Sequence, residues 1–209
     1  MADVWTKLCG CTAWGDVALA IDAGADAFGM IFAPSPRRIE WRAAVEIARR
    51  LPAGIAPVAV FVDPSSDEVE AVRALFPRVL LQFSGDESPE FVARYGDRAI
   101  KALHVDAPWD EIARRAARFP EATLLFDSRR DGLAGGTGTA FAWEGAAPLA
   151  ARRSVVIAGG LTPENVAACL ASTHAYGVDV RSGVETAGRK DPQKMRAFVR
   201  AARSWGSRG

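Results

Sequence analysis

Short apolar runs alternate along the chain with longer stretches in which apolar residues recur three and four positions apart. Short runs rich in β-branched residues and bounded by glycine or proline are typical of buried parallel strands, and the longer pattern is typical of amphipathic helices. The predicted strands span residues 5–9, 27–32, 57–62, 79–83, 99–105, 123–126, 155–158 and 177–180. The predicted helices span residues 16–23, 42–51, 65–76, 88–95, 109–118, 144–151, 163–171 and 191–205.

Eight strand–helix alternations in one uninterrupted chain predict a parallel barrel. The alternative is an open doubly wound sheet, whose Gly-x-Gly-x-x-Gly fingerprint should follow the first strand. The first strand is followed instead by Cys9-Gly10-Cys11-Thr12. We therefore predict an α/β protein with a single (β/α)₈ TIM-barrel domain over residues 1–209, of which 206–209 form a frayed tail.

Composition and charge narrow the choice of function. Hydrophobic residues make up 49% and charged residues 24% of the chain, as in an ordinary globular protein, and the formal net charge is +1. Nothing in this balance indicates binding to nucleic acid or to a membrane. No apolar run approaches the length of a membrane span, and the first residues lack the apolar core of a signal peptide, so we expect a cytoplasmic protein.

The three cysteines are Cys9, Cys11 and Cys169. Their odd number does not indicate a disulfide framework. A Cys-x-Cys pair can bind a metal, but no second ligand pair follows, and the histidines are limited to His104 and His174. We therefore expect no metal site.

Two turns in the last third of the chain carry exposed backbone donors. Gly159-Gly160 and Ser182-Gly183 each end a predicted strand and precede a turn toward a helix. Backbone N–H groups beside a helix N-terminus bind anions, and barrels commonly hold a phosphate on the loops after strands 7 and 8. These glycines predict a phosphate site, although they could also serve only to make tight turns.

Two reactive groups end predicted strands, where barrel enzymes place their chemistry. Cys9 ends the first strand, and the period of two puts Lys7 on the same face, where an ammonium would favour the thiolate. Asp127 follows an apolar run, and partial desolvation there would raise its pKa and keep a proton available. The simpler interpretations are a small core thiol and a carboxylate that caps a helix.

A resemblance to a known protein family allows more specific predictions than these single residues do. The chain resembles phosphoribosylanthranilate isomerases in an ordered series of motifs that runs through nearly its whole length. The motifs are Lys7-Leu8-Cys9-Gly10-Cys11-Thr12, Gly24-Ala25-Asp26-Ala27, Phe32-Ala33-Pro34-Ser35-Pro36-Arg37-Arg38, Leu81-Gln82-Phe83-Ser84-Gly85, Asp127 with Gly135-Gly136-Thr137-Gly138, Gly159-Gly160-Leu161-Thr162-Pro163-Glu164-Asn165, and Asp179-Val180-Arg181-Ser182-Gly183-Val184-Glu185.

The resemblance implies an Amadori rearrangement of N-(5-phosphoribosyl)anthranilate in tryptophan biosynthesis. It makes Asp127 the general acid that opens the sugar ring and Cys9 the general base that removes the proton from sugar C2. It implies no cofactor, because the substrate nitrogen serves as electron sink. The implied partner is the phosphosugar substrate, with neither nucleic acid nor membrane, and the chain is expected to be a monomer or a homodimer.

The resemblance also implies binding roles. Arg37 contacts the anthranilate carboxylate, Gly136, Thr137 and Gly138 lie over the site, and Asp179 orients a polar network, unless it only pairs with Lys7 or Lys101. The phosphate is held by Gly159, Gly160, Ser182 and Gly183. The expected aromatic wall is Phe32 and Phe83.

Some positions depart from the family pattern. Ser84 stands where a histidine is common and could contact substrate through water. Arg181 replaces a usual serine and could add charge at the phosphate, and Ala142 replaces a usual aspartate. Three other functions remain open: a barrel for a different phosphosugar, a non-catalytic phosphate-binding module, and a thiol redox or metal protein that uses Cys9 and Cys11.

Overall fold

The computed structural model describes residues 4–127 and 143–206, and within them eight parallel strands form a closed barrel. The strands are β1 (Trp5–Cys9), β2 (Ala27–Ile31), β3 (Ala56–Phe61), β4 (Leu80–Phe83), β5 (Ala99–His104), β6 (Thr123–Asp127), β7 (Val155–Ala158) and β8 (Gly177–Val180). Each strand pairs with the next, and β8 pairs with β1 to close the ring. The predicted fold class is confirmed.

Helices follow the strands as predicted. They are α1 (Trp14–Asp22), α2 (Trp41–Arg50), α3 (Ser66–Leu75), α4 (Pro89–Ala93), α5 (Trp109–Ala116), α6 (Ala147–Ala150), α7 (Val166–Thr173) and α8 (Pro192–Gly206). Ser65 caps α3 in a reciprocal capping box with Glu68. Across residues 4–127 and 143–206, no helix has the length and apolar character needed to cross a bilayer.

The helix predicted over 163–171 begins later, at Val166. The side chain of Asn165 explains the delay, because it folds back over the preceding loop. Its Oδ1 accepts a hydrogen bond from the Thr162 N–H at 2.8 Å, and its Nδ2 donates to the Gly160 carbonyl at 3.0 Å. The loop between β7 and α7 is thereby closed by its own polar groups.

Alternation along each strand sorts side chains between two apolar regions. Ala27, Val58 and Leu125 pack inside the barrel. Leu8 and Phe126 point outward and pack in the layer between strands and helices. Fully burying one such large side chain stabilises the fold by about 1.5–3 kcal/mol, so the period of two is strongly specified.

A two-stranded hairpin outside the barrel was not predicted. It pairs β9 (Glu185–Thr186) with β10 (Arg189–Lys190), directly before α8. The turn residues Ala187 and Gly188 have φ values of 47° and 72°. Positive φ at both turn positions is the geometry of tight hairpins, and two-residue strands carry too little hydrophobic pattern to be recognised from sequence.

Candidate active site

A cleft of about 200 Å³ opens at the carboxyl ends of the barrel strands. Cys9 from β1, Ser84 after β4, Asp127 from β6 and Asp179 from β8 all line it. Parallel strands present their carboxyl ends at the same edge, which is how residues distant in sequence meet here. The structure therefore brings together the two candidate reactive groups and two of the candidate binding residues.

The two predicted phosphate turns also line this cleft and pack against each other. A Cβ on Gly183 would lie 1.9 Å from the Leu161 carbonyl oxygen, so only glycine permits this approach. Gly159 and Gly160 have φ values of 83° and 68°, in the left-handed region. Ser182 completes the set of four predicted residues in the cleft.

The predicted helix N-terminus is not beside the first turn. Because α7 begins only at Val166, the donors around Gly159 and Gly160 belong to a loop. Ser182 and Gly183 instead open a short 3₁₀ turn, Ser182–Val184. Any anion here would be held by turn amides rather than by the dipole of α7.

A buried polar chain lies under the cleft. The Lys7 ammonium donates to Asp179 Oδ2 at 2.9 Å and to Gln82 Oε1 at 2.7 Å, and Gln82 Nε2 donates to Ser84 Oγ at 3.1 Å. Burial alone would lower the pKa of Lys7, but the adjacent Asp179 and Cys9 raise it above its usual range, so Lys7 stays charged. The chain links the β1, β4 and β8 ends.

The two carboxylate oxygens of Asp179 differ in their hydrogen bonding. The sequence left open whether its partner is Lys7 or Lys101, and the structure selects Lys7, whereas Lys101 pairs with Glu87 at 2.6 Å. Asp179 is 8% exposed, and its Oδ1 has no hydrogen-bond partner among the described residues. A buried carboxylate oxygen in this position is suited to accept a hydrogen bond from a ligand hydroxyl.

Lys7 favours the Cys9 thiolate, as expected, but burial of the thiol is the larger effect. Burial raises the pKa of the Cys9 thiol, and the opposing effect of the Lys7 ammonium does not compensate. Cys9 is 7% exposed. A Cβ on the neighbouring Gly29 would lie 2.7 Å from its sulphur and 3.0 Å from Lys7 Cε, so Gly29 makes room for both side chains.

Cys11 does not share a site with Cys9. It is fully buried in the layer between barrel and helices, and its Sγ lies 3.6 Å from the Leu8 carbonyl oxygen. Within residues 4–127 and 143–206, no cluster of three His, Cys, Asp or Glu side chains is arranged to hold a metal ion.

Asp127 ends β6 half-buried and faces the cleft next to a residue for which no role is predicted. Its register partner on β5 is His104, which also lines the cleft. The only sequence signal for His104 was its place at a strand end. Gln82 is a further lining residue without a predicted role, and Arg181, which was expected near the phosphate turns, also lines the cleft.

Arg37 is outside the set of cleft-lining residues. Its guanidinium lies 3.0 Å from Glu185 and donates to the Gly188 carbonyl, on the hairpin beyond β8. The γ-carbons of Arg37 and Arg181 both approach the position of a Cβ on Gly10. The two arginines therefore meet at the β1 end of the cleft.

The predicted aromatic wall is wrong. Phe83 points outward and packs against Phe91 and Tyr95, and Phe32 stacks on Phe61. Both residues stand next to a cleft-facing neighbour, so alternation turns them away. The apolar lining consists instead of Ile31, Ala33, Val60, Val62, Ala158, Leu161 and Val180. The expected lid residues Gly136, Thr137 and Gly138, and also Ala142, lie outside the described residues.

Comparison with known proteins agrees with this arrangement. Residues 6–201 match the family model of N-(5'-phosphoribosyl)anthranilate (PRA) isomerase. The chain is 44% identical over 197 residues to such an isomerase from Desulforudis audaxviator, covering 94% of this chain and 97% of that protein. It is 46% identical over 206 residues to the enzyme from Rubrobacter xylanophilus, covering 95% and 98%.

Solved structures give the same result. The crystal structure of phosphoribosyl anthranilate isomerase from Thermotoga maritima superposes with a TM-score of 0.87 at 32% identity, covering 96% of this chain and 99% of that one. A second crystal structure, in complex with reduced 1-(o-carboxyphenylamino)-1-deoxyribulose 5-phosphate, superposes with a TM-score of 0.83 at 31% identity and the same coverage. The barrel with this cleft thus belongs to the N-(5'-phosphoribosyl)anthranilate isomerase family.

Proposed function

We propose that this chain isomerises N-(5'-phosphoribosyl)anthranilate to 1-(2-carboxyphenylamino)-1-deoxyribulose 5-phosphate in tryptophan biosynthesis, with Asp127 as general acid and Cys9 as general base. The observation that carries the two roles is that both side chains line one cleft although they are distant in sequence. The bound reduced product analogue in a related structure supports the substrate class.

The chemistry needs one proton donor and one proton acceptor. Asp127 protonates the ring oxygen, the bond from that oxygen to C1 breaks, and the substrate nitrogen forms a Schiff base. Cys9 removes the C2 proton, and the electron pair moves toward the nitrogen to give an enolamine. Tautomerisation adds a proton to C1 and removes the proton of the C2 hydroxyl, which leaves the C2 ketone, and these two transfers restore the Cys9 thiolate and the Asp127 carboxylic acid. Atoms and electrons balance without a cofactor.

The raised pKa of Cys9 sets the pH dependence. A thiol whose pKa is raised by burial is mostly protonated near neutral pH in the free enzyme. Activity requires the Cys9 thiolate and the protonated Asp127 carboxyl together, so kcat/KM should have a bell-shaped dependence on pH. The profile reports macroscopic values for the pair.

The phosphate binds on the two packed turns. Backbone N–H groups around Gly159, Gly160, Ser182 and Gly183 donate to it, and the Arg181 guanidinium supplements them with positive charge. Arg181 is the member of this group that a substitution can remove without changing the backbone. An Arg181→Ala enzyme should show a raised KM, and an unchanged KM would count against this role.

The anthranilate carboxylate binds Arg37. In the unliganded protein Glu185 occupies this guanidinium, so the substrate carboxylate takes up a place next to an existing ion pair. The aromatic ring packs against Ile31, Ala33 and Val60.

The sugar hydroxyls meet polar groups along the buried chain. Asp179 Oδ1 accepts a hydrogen bond from one of them, and Ser84 contacts the substrate through water. Cys9, Cys11 and Cys169 are all free thiols, which is the state expected of cysteines in a protein that acts in the reducing cytoplasm.

One assay tests the acid–base pair. Fluorescent phosphoribosylanthranilate generated in situ should lose its emission when the enzyme is added. Cys9→Ser and Asp127→Asn should each abolish turnover while leaving binding of a product analogue largely intact. Cys169→Ala, at a buried thiol outside the cleft lining, is the matched control and should remain active. Near-wild-type kcat in both cleft variants would refute the mechanism.

A further inference from the structure

Lys190 has a fully buried ammonium next to the cleft, and the acid–base mechanism does not use it. Its side chain is 0% exposed. The ammonium donates to the Cys9 carbonyl at 2.6 Å, to the Arg181 carbonyl at 3.2 Å and to Glu185 Oε1 at 3.1 Å. An ammonium has three N–H donors, and these contacts account for all of them.

The two carbonyls lie where the ladder between β1 and β8 stops. Backbone pairing runs from Trp5 with Gly177 to Leu8 with Val180. Cys9 and Arg181 are the next residues on each strand, and the backbone bends away at Arg181, which has φ −119° and ψ −78°. The Lys190 ammonium therefore bridges the two strand ends at the position where the next backbone pairing of β1 with β8 would otherwise lie.

The neighbouring seam is closed differently. Between β1 and β2, the N–H groups of Gly10 and Cys11 both donate to the Gly29 carbonyl, at 3.0 and 2.9 Å. Backbone alone holds those strand ends together. At the β1–β8 seam, by contrast, a side chain from outside the barrel holds the two carbonyls.

The β9–β10 hairpin and an ion pair hold Lys190 in place. The residue lies on β10, opposite Glu185 on β9, and the Asp191 N–H donates to the Val184 carbonyl at 2.9 Å. Glu185 also pairs with Arg37, so one carboxylate neutralises two cations. A buried ammonium with a carboxylate and two carbonyls is fully satisfied, which is the condition for burying a charge.

The two bridged carbonyls belong to functionally different residues. One is on Cys9, and the other directly precedes the Ser182-Gly183 turn. We propose that Lys190 is a positioning residue for the isomerisation, which fixes the Cys9 thiol relative to the turn that holds the substrate phosphate. This inference rests on the proposed function, since it takes Cys9 as base and Ser182-Gly183 as phosphate site.

Catalysis depends on such a fixed distance. The phosphate and C2 lie in one substrate molecule, so anchoring the phosphate determines where C2 meets the sulphur. A misplacement of about 1 Å can reduce the rate about 100-fold. Loss of the ammonium removes this bridge between the two strand ends, which can then separate.

The test compares Lys190→Met with Lys101→Met. Lys101 is a matched control because it is also buried, 3% exposed, pairs with Glu87, and donates to the Phe83 and Gly85 carbonyls at the end of β4. Both variants should lose stability. After correction for the folded fraction, Lys190→Met should lose about 100-fold in kcat, and Lys101→Met should lose at least tenfold less.

A pH profile separates positioning from mere stability. The groups that affect the Cys9 thiol are Lys7 on its own strand, Asp179 and Arg181 on the β8 side, and Lys190. Removing the Lys190 charge should move the limb of the kcat/KM profile that reports the Cys9 thiol to higher pH, whereas Lys190→Arg, which keeps the charge, should leave that limb in place. Inorganic phosphate inhibition should change less than threefold in Lys190→Met.

Each result decides the question. Equal kcat losses in Lys190→Met and Lys101→Met, together with an unmoved limb, overturn the positioning role. Lys190→Gln serves if Lys190→Met does not fold, since its amide can still donate to a backbone carbonyl although it carries no charge, and it should show at least a tenfold loss. Failure of both Lys190 variants to fold, with Lys101→Met folded, assigns Lys190 a purely structural role. Wild-type kcat in Cys9→Ser would refute the proposed base without involving Lys190.

Discussion

Lys7 and Asp179 face each other across the β1–β8 pair, with the ammonium nitrogen 2.9 Å from one carboxylate oxygen and the other oxygen unpaired among the described residues. The pair lies at the floor of the cleft beside Gln82, next to the apolar residues that fill the barrel. A buried ion pair gives little net stability, because desolvation offsets the attraction. One carboxylate oxygen of the pair is left without a hydrogen-bond partner among the described residues.

The first prediction concerns this pair. Asp179→Leu leaves the Lys7 ammonium with Gln82 as its remaining partner in the described polar chain, and should lower the free energy of unfolding by about 3–5 kcal/mol. The double variant Lys7→Met/Asp179→Leu should recover most of that loss, since no buried charge remains, and should stay inactive. Urea denaturation measures both effects. A double variant as unstable as the single one would show that the charge is not the cause.

The second prediction concerns Gly29. In Gly29→Ala the new Cβ would overlap the Cys9 sulphur and approach the Cys9 Cα to 3.2 Å, so the Cys9 side chain has to move. We expect about a 100-fold loss of kcat and a destabilisation of about 1–3 kcal/mol. Gly15→Ala is the control, because a Cβ there meets nothing within 4 Å and α1 should become more stable. Wild-type kcat in Gly29→Ala would disprove the steric role.

The third prediction concerns the contact between the two phosphate turns. A Cβ on Gly183 would overlap the Leu161 carbonyl oxygen, and that atom is backbone, so Gly183→Ala has to separate the turns. Competitive inhibition by inorganic phosphate should weaken at least tenfold, by about 1.4 kcal/mol or more. Isothermal titration with phosphate measures this directly. Unchanged phosphate affinity would mean that the anion binds elsewhere.

The fourth prediction concerns alkaline stability. Burial raises the pKa of Cys169 to about 12, above the ordinary thiol value of about 8.5. A raised pKa means that the folded state holds its proton more tightly, so this contribution is present below pH 8.5 and is lost as the pH rises toward 12. In that window Cys169→Ala should flatten the decline in unfolding free energy by about 1.4 kcal/mol per pH unit. Urea unfolding at pH 9.5 and 10.5 measures the slope, and an unchanged slope would contradict the assignment.

The presence of each barrel strand and helix could be predicted from the local pattern of apolar and polar residues. Each predicted strand is found within about one residue of its expected limits, because burial of one face over a short run leaves a strong periodic signal. The β9–β10 hairpin was missed because two-residue strands carry no such signal. The start of α7 was predicted too early because the Asn165 side chain hydrogen-bonds backbone groups of the preceding loop, and local residue patterns do not reveal those bonds.

The candidate site was predictable in its membership but not in its contacts. Cys9, Asp127, Asp179 and the glycine turns could be found from their places at strand ends, since all parallel strands end at the same edge. Phe32 and Phe83 were misassigned because the side-chain face depends on register, and a shift of one residue reverses it.

The order of elements, the barrel and the family motifs all follow from residue patterns within short segments, so reading the chain was sufficient to obtain them. The folded structure was needed to identify three features. They are the partner of Asp179, the bridge that Lys190 makes between the ends of β1 and β8, and the raised pKa of Cys9. Each of them depends on distance and burial between segments up to 181 positions apart. Electrostatic energy varies with separation and with exclusion of water, and neither quantity exists until the barrel has closed.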